Sequence, residues 1–191
     1  MTVDNCSVGT DLLNKNTDDN TAYPADTFAG VGLSCNYKPE EIVVEMLLEK
    51  QLTITTAESC TGGLIGATLV NVPGVSSVFK EGYITYANES KQKLLGVSED
   101  TLAKYGAVSE QTAREMAEGA LKATNADVSI AVTGIAGPDG GTDEKPVGLV
   151  YMACAHKGKT VVRRHVFEGD RLQVRTSTVL YALDLVCRTI S

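Results

Sequence analysis

From Pro39 onward the chain alternates between stretches with apolar residues at helical spacing and short β-branched runs. Pro39 suits a first helical position, Glu40 and Glu41 suit the electropositive helix start, and Ile42, Val43, Met46 and Leu47 form one stripe. A helix over 39–50 follows. Residues 52–56 are short and largely β-branched, which predicts a buried strand running into a turn at Ser59. Leu64, Ile65, Ala67, Thr68 and Leu69 predict the next helix, ended near Val72-Pro73-Gly74. The segment 78–87, with Tyr83, Ile84 and Tyr86, reads as a strand; 91–95 reads as a short helix stopped by Gly96, and 98–103 as another. Ser109 is placed to cap a long helix in which Ala113, Met116, Ala117, Ala120 and Leu121 repeat.

Residues 128–132 predict a strand that opens into the glycine-rich loop 134–141. Two more strands, 147–155 and 160–167, are separated by Lys157-Gly158-Lys159 in the manner of a hairpin. Asp170 followed three residues later by Gln173 matches a capping box for a final helix, expected to bury Leu172, Val179, Leu183 and Val186. Helices interspersed with strands, plus a hairpin, indicate an α/β fold with a mixed sheet covered on both faces. Residues 1–38 differ: they are rich in Asp, Asn, Thr and Gly, show no sustained period, and read as an extension or linker.

Composition adds exclusions. A hydrophobic fraction of 43% with 21% charged residues is ordinary for a globular domain and argues against overall disorder. The net charge of -7 argues against nucleic acid or an anionic membrane as partner, since both need clustered Lys and Arg. Any anionic ligand must be met locally. Cys6, Cys35, Cys60, Cys154 and Cys187 show neither zinc-site spacing nor Cys-x-x-Cys, so reduced thiols are expected. His156 and His165 have no carboxylate spacing that suggests a metal triad, and no metal is expected. No basic start with an apolar run of signal-peptide or membrane-helix length occurs, and a cytoplasmic location is the expectation.

Four constellations could carry chemistry. In Glu58-Ser59-Cys60-Thr61-Gly62-Gly63 a hydroxyl stands at a strand end before two glycines that open a helix. Such a turn can hold a nucleophile beside backbone N–H groups, although a helix cap by Ser59 or Thr61 explains the same pattern. Cys60 reads as a packing residue. In Tyr86-Ala87-Asn88-Glu89-Ser90-Lys91 a lysine of lowered pKa could deprotonate a serine, with tyrosine relaying the proton; a solvated lysine is the alternative. In 133–141 four glycines follow a strand, so backbone can approach a phosphate or ribose, or simply turn. Arg171, with Arg175 one turn later, opposes the helix dipole in the first turn of the last helix, which suits a phosphate clamp and equally a salt bridge from Arg171. The turn 59–64 has no Gly-x-Gly-x-x-Gly, and the glycine-rich loop 133–141 lacks the Gly-Lys-Ser/Thr ending of a Walker loop, which sets aside a dinucleotide fold and an ATPase.

Together, 56–63, 83–91, Gly106-Ala107-Val108-Ser109, 133–141 and Lys145-Pro146-Val147-Gly148 closely resemble, in order and spacing, the CinA C-terminal domain family. The resemblance covers about 40–190 and implies a three-layer α/β/α sandwich with a mixed central sheet, over a domain spanning 39–191. Members of that family include nicotinamide-nucleotide amidases, which convert nicotinamide mononucleotide to nicotinic acid mononucleotide and ammonia. The resemblance further implies a small-molecule mononucleotide substrate, a homo-oligomer, and no cofactor or metal. Carried over by position, Ser59 would be the nucleophile, assisted by Tyr86 and Lys91. Thr133 and Arg171 would hold the substrate, along with the backbone of Cys60, Thr61, Gly62, Gly134 and Gly137. Many members carry an upstream domain resembling molybdopterin-binding proteins, which 38 residues are too few to encode; the stand-alone form is the expectation.

Overall fold

The computed structural model of the protein describes residues 38–191, so the extension expected over 1–38 lies, apart from Lys38, outside the described residues. Along the chain follow α1 (Pro39–Glu49), β1 (Ile54–Glu58), α2 (Leu64–Val70), a 3-10 turn (Val75–Ser77), β2 (Phe79–Ile84), α3 (Asn88–Leu95) and α4 (Glu99–Tyr105). Then come α5 (Glu110–Thr124), β3 (Val128–Gly134), β4 (Leu149–His156), β5 (Lys159–Val166) and α6 (Arg171–Ile190). The five strands form one mixed sheet in the order β2-β1-β3-β4-β5. Strand β1 is parallel to β2 and β3, while β3, β4 and β5 pair antiparallel.

Alternation along the strands separates two cores. On one side Ile54, Ile130, Val132, Met152 and Cys154 meet Val43, Leu47, Ile65, Leu69 and Leu183 from α1, α2 and α6. On the other, Ala57, Ala131, Ala153 and Ala155 meet Ala113, Met116, Ala117 and Ala120 of α5. The small residues let α5 lie close to the sheet: the Ser129 hydroxyl donates to the Ala117 carbonyl at 2.6 Å. Gly119 has no room for a side chain, since a Cβ there would collide with the Leu95 carbonyl oxygen at the end of α3.

The boundaries differ from the sequence reading for local reasons. Strand β1 starts two residues later than expected because the Leu52 N–H still bonds the Leu47 carbonyl (2.9 Å), with Gln51 at a positive φ of 56° ending α1. Helix α3 begins at Asn88, so Lys91 lies in its first turn, and Gly96 ends it in the left-handed region (φ 68°). The capping expectations match the structure: Ser109 accepts from the Thr112 N–H, and Asp170 and Gln173 bond each other's backbone N–H at 2.9 and 2.7 Å. Leu172 is a correction. The apolar pattern assigns it to the core, but it is 62% exposed, because the buried stripe of α6 begins only at Val174.

Candidate active site

Ligand sites in open α/β sheets lie outside the carboxyl ends of parallel strands, and the polar residues converge there. Ser59 follows β1 directly and extends its pairing with β3 through a hydrogen bond to the Val132 carbonyl (3.1 Å). Thr133 stands at the end of β3, Tyr86 and Lys91 follow β2, and Arg171 opens α6. A cavity of about 200 Å³ is lined by Ser59, Cys60, Tyr86, Lys91, Thr133 and Arg171, with the 107–108 loop, Gly134 and Ala136 completing its wall.

The Lys91 Nζ lies 3.1 Å from the Ser59 Oγ, 2.8 Å from the Thr85 carbonyl and 3.1 Å from the Tyr86 carbonyl. The lysine is 1% exposed. Burial pushes its pKa below the ordinary lysine value, opposed by the weaker pull of Glu89. Among the described residues no carboxylate forms an ion pair with it. A buried amine held by two carbonyls and a hydroxyl is equipped to exchange a proton with that hydroxyl.

The turn after β1 is organised by a side chain that sequence reading passes over. Glu58 is also 1% exposed, and its carboxylate accepts four hydrogen bonds. The donors are the Thr61 hydroxyl (2.6 Å) and the backbone N–H groups of Gly63 (3.0 Å), Ile65 (3.0 Å) and Gly66 (2.8 Å). The negative charge sits against the positive end of α2. Arg175 donates to the Thr61 carbonyl at 2.7 Å. The only local sign of the Glu58 role is an acidic residue just before a helix start; nothing local marks Arg175 as a brace.

The remaining residues expected at the site divide in two. Cys60, Thr133, Gly134 and Arg171 face the cavity along with the three proposed catalytic residues. Thr61, Gly62 and Gly137 do not line it. Thr61 spends its hydroxyl on Glu58, Gly62 turns the chain at φ 62°, and the Gly137 carbonyl accepts from Arg171 at 2.8 Å. The Thr133 hydroxyl donates to the Ala107 carbonyl (2.8 Å), fixing the facing loop. Tyr86 is 62% exposed; its hydroxyl accepts from Arg171 at 3.3 Å, whereas its contact with Lys91 is through its main-chain carbonyl. Burial pushes the Cys60 thiol up to about 11, aided by Glu58, which keeps it protonated and poorly nucleophilic at neutral pH.

Comparison with known proteins bears on the family and the fold. The family model described as the CinA C-terminal domain matches residues 36–190. A CinA-like protein of Kosmotoga olearia is 55% identical over 151 residues, which is 79% of this chain and 37% of that protein. The chain thus spans little more than a third of the length of the curated relatives it matches. Among solved structures, a competence-damaged protein (CinA) superfamily member from Escherichia coli has a TM-score of 0.77 at 38% identity, covering 79% of this chain and 88% of its own. The competence/damage inducible protein CihA from Agrobacterium tumefaciens gives 0.74 at 40% identity, with 81% and 98% covered. Among the described residues no helix is long and apolar enough to cross a membrane.

Proposed function

The chain belongs to the CinA C-terminal domain family, and we propose that its domain hydrolyses the carboxamide of nicotinamide mononucleotide to nicotinic acid mononucleotide and ammonia, with Ser59 as nucleophile. The observation that carries this reading is the buried contact of 3.1 Å between the Lys91 amine and the Ser59 hydroxyl.

In its neutral form Lys91 has two N–H bonds and one lone pair. With the N–H bonds directed to the Thr85 and Tyr86 carbonyls, the lone pair faces the Ser59 hydroxyl. Ser59 Oγ attacks the amide carbon as its proton passes to Lys91, and the backbone of the 59–62 turn stabilises the oxyanion. The ammonium then returns the proton to the amide nitrogen, the C–N bond breaks, and ammonia leaves an acyl-enzyme ester. Water attacks that ester, giving a proton to Lys91, which restores the Ser59 hydroxyl as the acid departs. The protonated lysine has three donors for the same three oxygens, so both protonation states are accommodated without rearrangement. No step calls for a metal or cofactor.

Arg171 is the cation proposed for the substrate phosphate. Its contacts with the Gly137 carbonyl and the Tyr86 hydroxyl leave further guanidinium N–H groups for an anion. Tyr86 acts in this account mainly by lending its carbonyl to Lys91 and its phenol to Arg171. A homo-oligomer acting on a small mononucleotide in the cytoplasm is part of the same proposal. Purified protein incubated with nicotinamide mononucleotide should release ammonia, and Ser59→Ala should abolish release while retaining substrate binding. Binding by wild-type protein without ammonia release would instead mark a pyridine-nucleotide-binding module.

A further inference from the structure

The turn that carries Ser59 can be accounted for donor by donor. The N–H of Ser59 goes to Val132, that of Gly62 to the Ser59 carbonyl, and that of Leu64 to the Thr61 carbonyl. Those of Gly63, Ile65 and Gly66 go to the Glu58 carboxylate. Two remain. The N–H groups of Cys60 and Thr61 make no hydrogen bond to oxygen among the described residues, and approach the Cys60 sulfur instead. They directly follow Ser59, whose Oγ faces Lys91.

Two charged side chains hold the residue that carries the second of these N–H groups. Thr61 is held at its hydroxyl by Glu58 (2.6 Å) and at its carbonyl by Arg175 (2.7 Å). With both ends of the residue fixed, its own N–H has little freedom to rotate. The arrangement exceeds what a helix cap needs. The N-cap residue Gly63 has no capping side chain, and the carboxylate reaches in from β1 to join strand end, turn and helix start. Arg175, one helical turn beyond Arg171 on α6, makes its brace from a different part of the chain.

We propose that Glu58 and Arg175 are positioning residues that together hold the Cys60 and Thr61 N–H groups as the oxyanion-binding pair for attack by Ser59. The inference rests on the reading of Ser59 as the acylated residue. Neither Glu58 nor Arg175 touches the reacting atoms; both act through Thr61. Loss of one oxyanion donor typically lowers kcat by ~10²–10³-fold, and a donor misdirected rather than deleted loses part of that. Arg175→Met should therefore lower kcat for ammonia release by about 10- to 100-fold, with KM for nicotinamide mononucleotide changed less than about threefold. Arg175→Lys, which keeps one charged donor, should recover part of the loss.

Thr61→Val should lower kcat in the same selective way and Thr61→Ser should restore it, which tests the Glu58 link without removing the buried carboxylate. Glu58→Gln should lower both kcat and thermal stability, since an amide cannot accept all four donors. A purely structural role would lower the melting temperature and the active fraction without the kcat-against-KM split and without rescue by the conservative variants R175K and T61S. Wild-type protein that turns over normally while R175M and T61V keep full kcat overturns this inference alone. Wild-type protein that releases no ammonia overturns the hydrolytic reading and this inference with it.

Discussion

Replacing Lys91 with methionine tests the base most sharply. Methionine is unbranched and matches the lysine stem, so the packing volume is nearly kept while the amine is lost. Three hydrogen bonds disappear, to Ser59, Thr85 and Tyr86, each worth about 0.5–1.5 kcal/mol net. Against this, the cost of holding an amine in a site 1% exposed also disappears. These terms oppose each other, so at neutral pH the stability of the variant should lie within about 2 kcal/mol of wild type. Turnover should nonetheless fall by ~10²–10⁴-fold, the usual contribution of a positioned base.

The pH dependence follows from the direction of the Lys91 shift. Burial lowers its folded pKa below 10.5, so between the folded pKa and 10.5 the unfolded chain binds more protons than the native one. Stability of wild type from this group therefore rises with pH across that window and is lowest below the folded pKa, where the ammonium is buried. The methionine variant lacks this rise, so the stability difference should shift in favour of wild type as pH increases. For activity, kcat/KM should climb as Lys91 loses its proton, with an apparent pKa below the ordinary lysine value of 10.5. Ammonia release and urea unfolding, measured across pH for both proteins, check both arms. Activity that falls as pH rises through this range, or a variant that keeps turnover, would refute Lys91 as the base.

Three further outcomes are expected. Thr85 carries a buried hydroxyl without a hydrogen-bond partner among the described residues while its carbonyl holds Lys91, so Thr85→Val should keep activity and leave stability unchanged or improved by up to about 2 kcal/mol. A melting temperature clearly below wild type would contradict this. Gly119→Ala gains about 1 kcal/mol of helix propensity but drives a methyl into the Leu95 carbonyl, so α5 must move and a net loss of about 2 kcal/mol is expected in urea unfolding. An alanine variant as stable as wild type would show that α3 yields freely. Arg171→Met should raise KM for nicotinamide mononucleotide by ~10–100-fold, as expected for one lost charge-assisted contact, with little effect on the nucleoside lacking phosphate. Equal losses for both would assign the arginine a structural role.

What can be read from the chain is whatever depends on nearby residues. The α5 stripe, the Ser109 cap and the Asp170–Gln173 box are defined by spacings of three or four, and the structure has them where the pattern puts them. Leu172 departs from its pattern because periodicity says which face of a helix is apolar, not where along it the covering layer begins. The start of β1 moves for a similar reason: Leu52 adjoins a β-branched run in sequence, yet its N–H is committed to closing α1. At the site, Ser59 and Lys91 are 32 residues apart, and only the family resemblance joins them from sequence. Arg175 and Thr61 are separated by 114 residues, so that brace exists only once α6 has docked beside α2. Glu58 stands in plain view within its motif, but four donors for one buried carboxylate become visible only when the turn closes around it.

Acid-quenched reaction mixtures, digested and weighed by mass spectrometry, would interrogate covalent catalysis itself. With nicotinamide mononucleotide as substrate, the peptide containing Ser59 should carry the mass of the acyl mononucleotide ester, and the adduct should be absent from Ser59→Ala, which should also release no ammonia. Ammonia release by Ser59→Ala at the wild-type rate, with no adduct on either protein, would contradict the account.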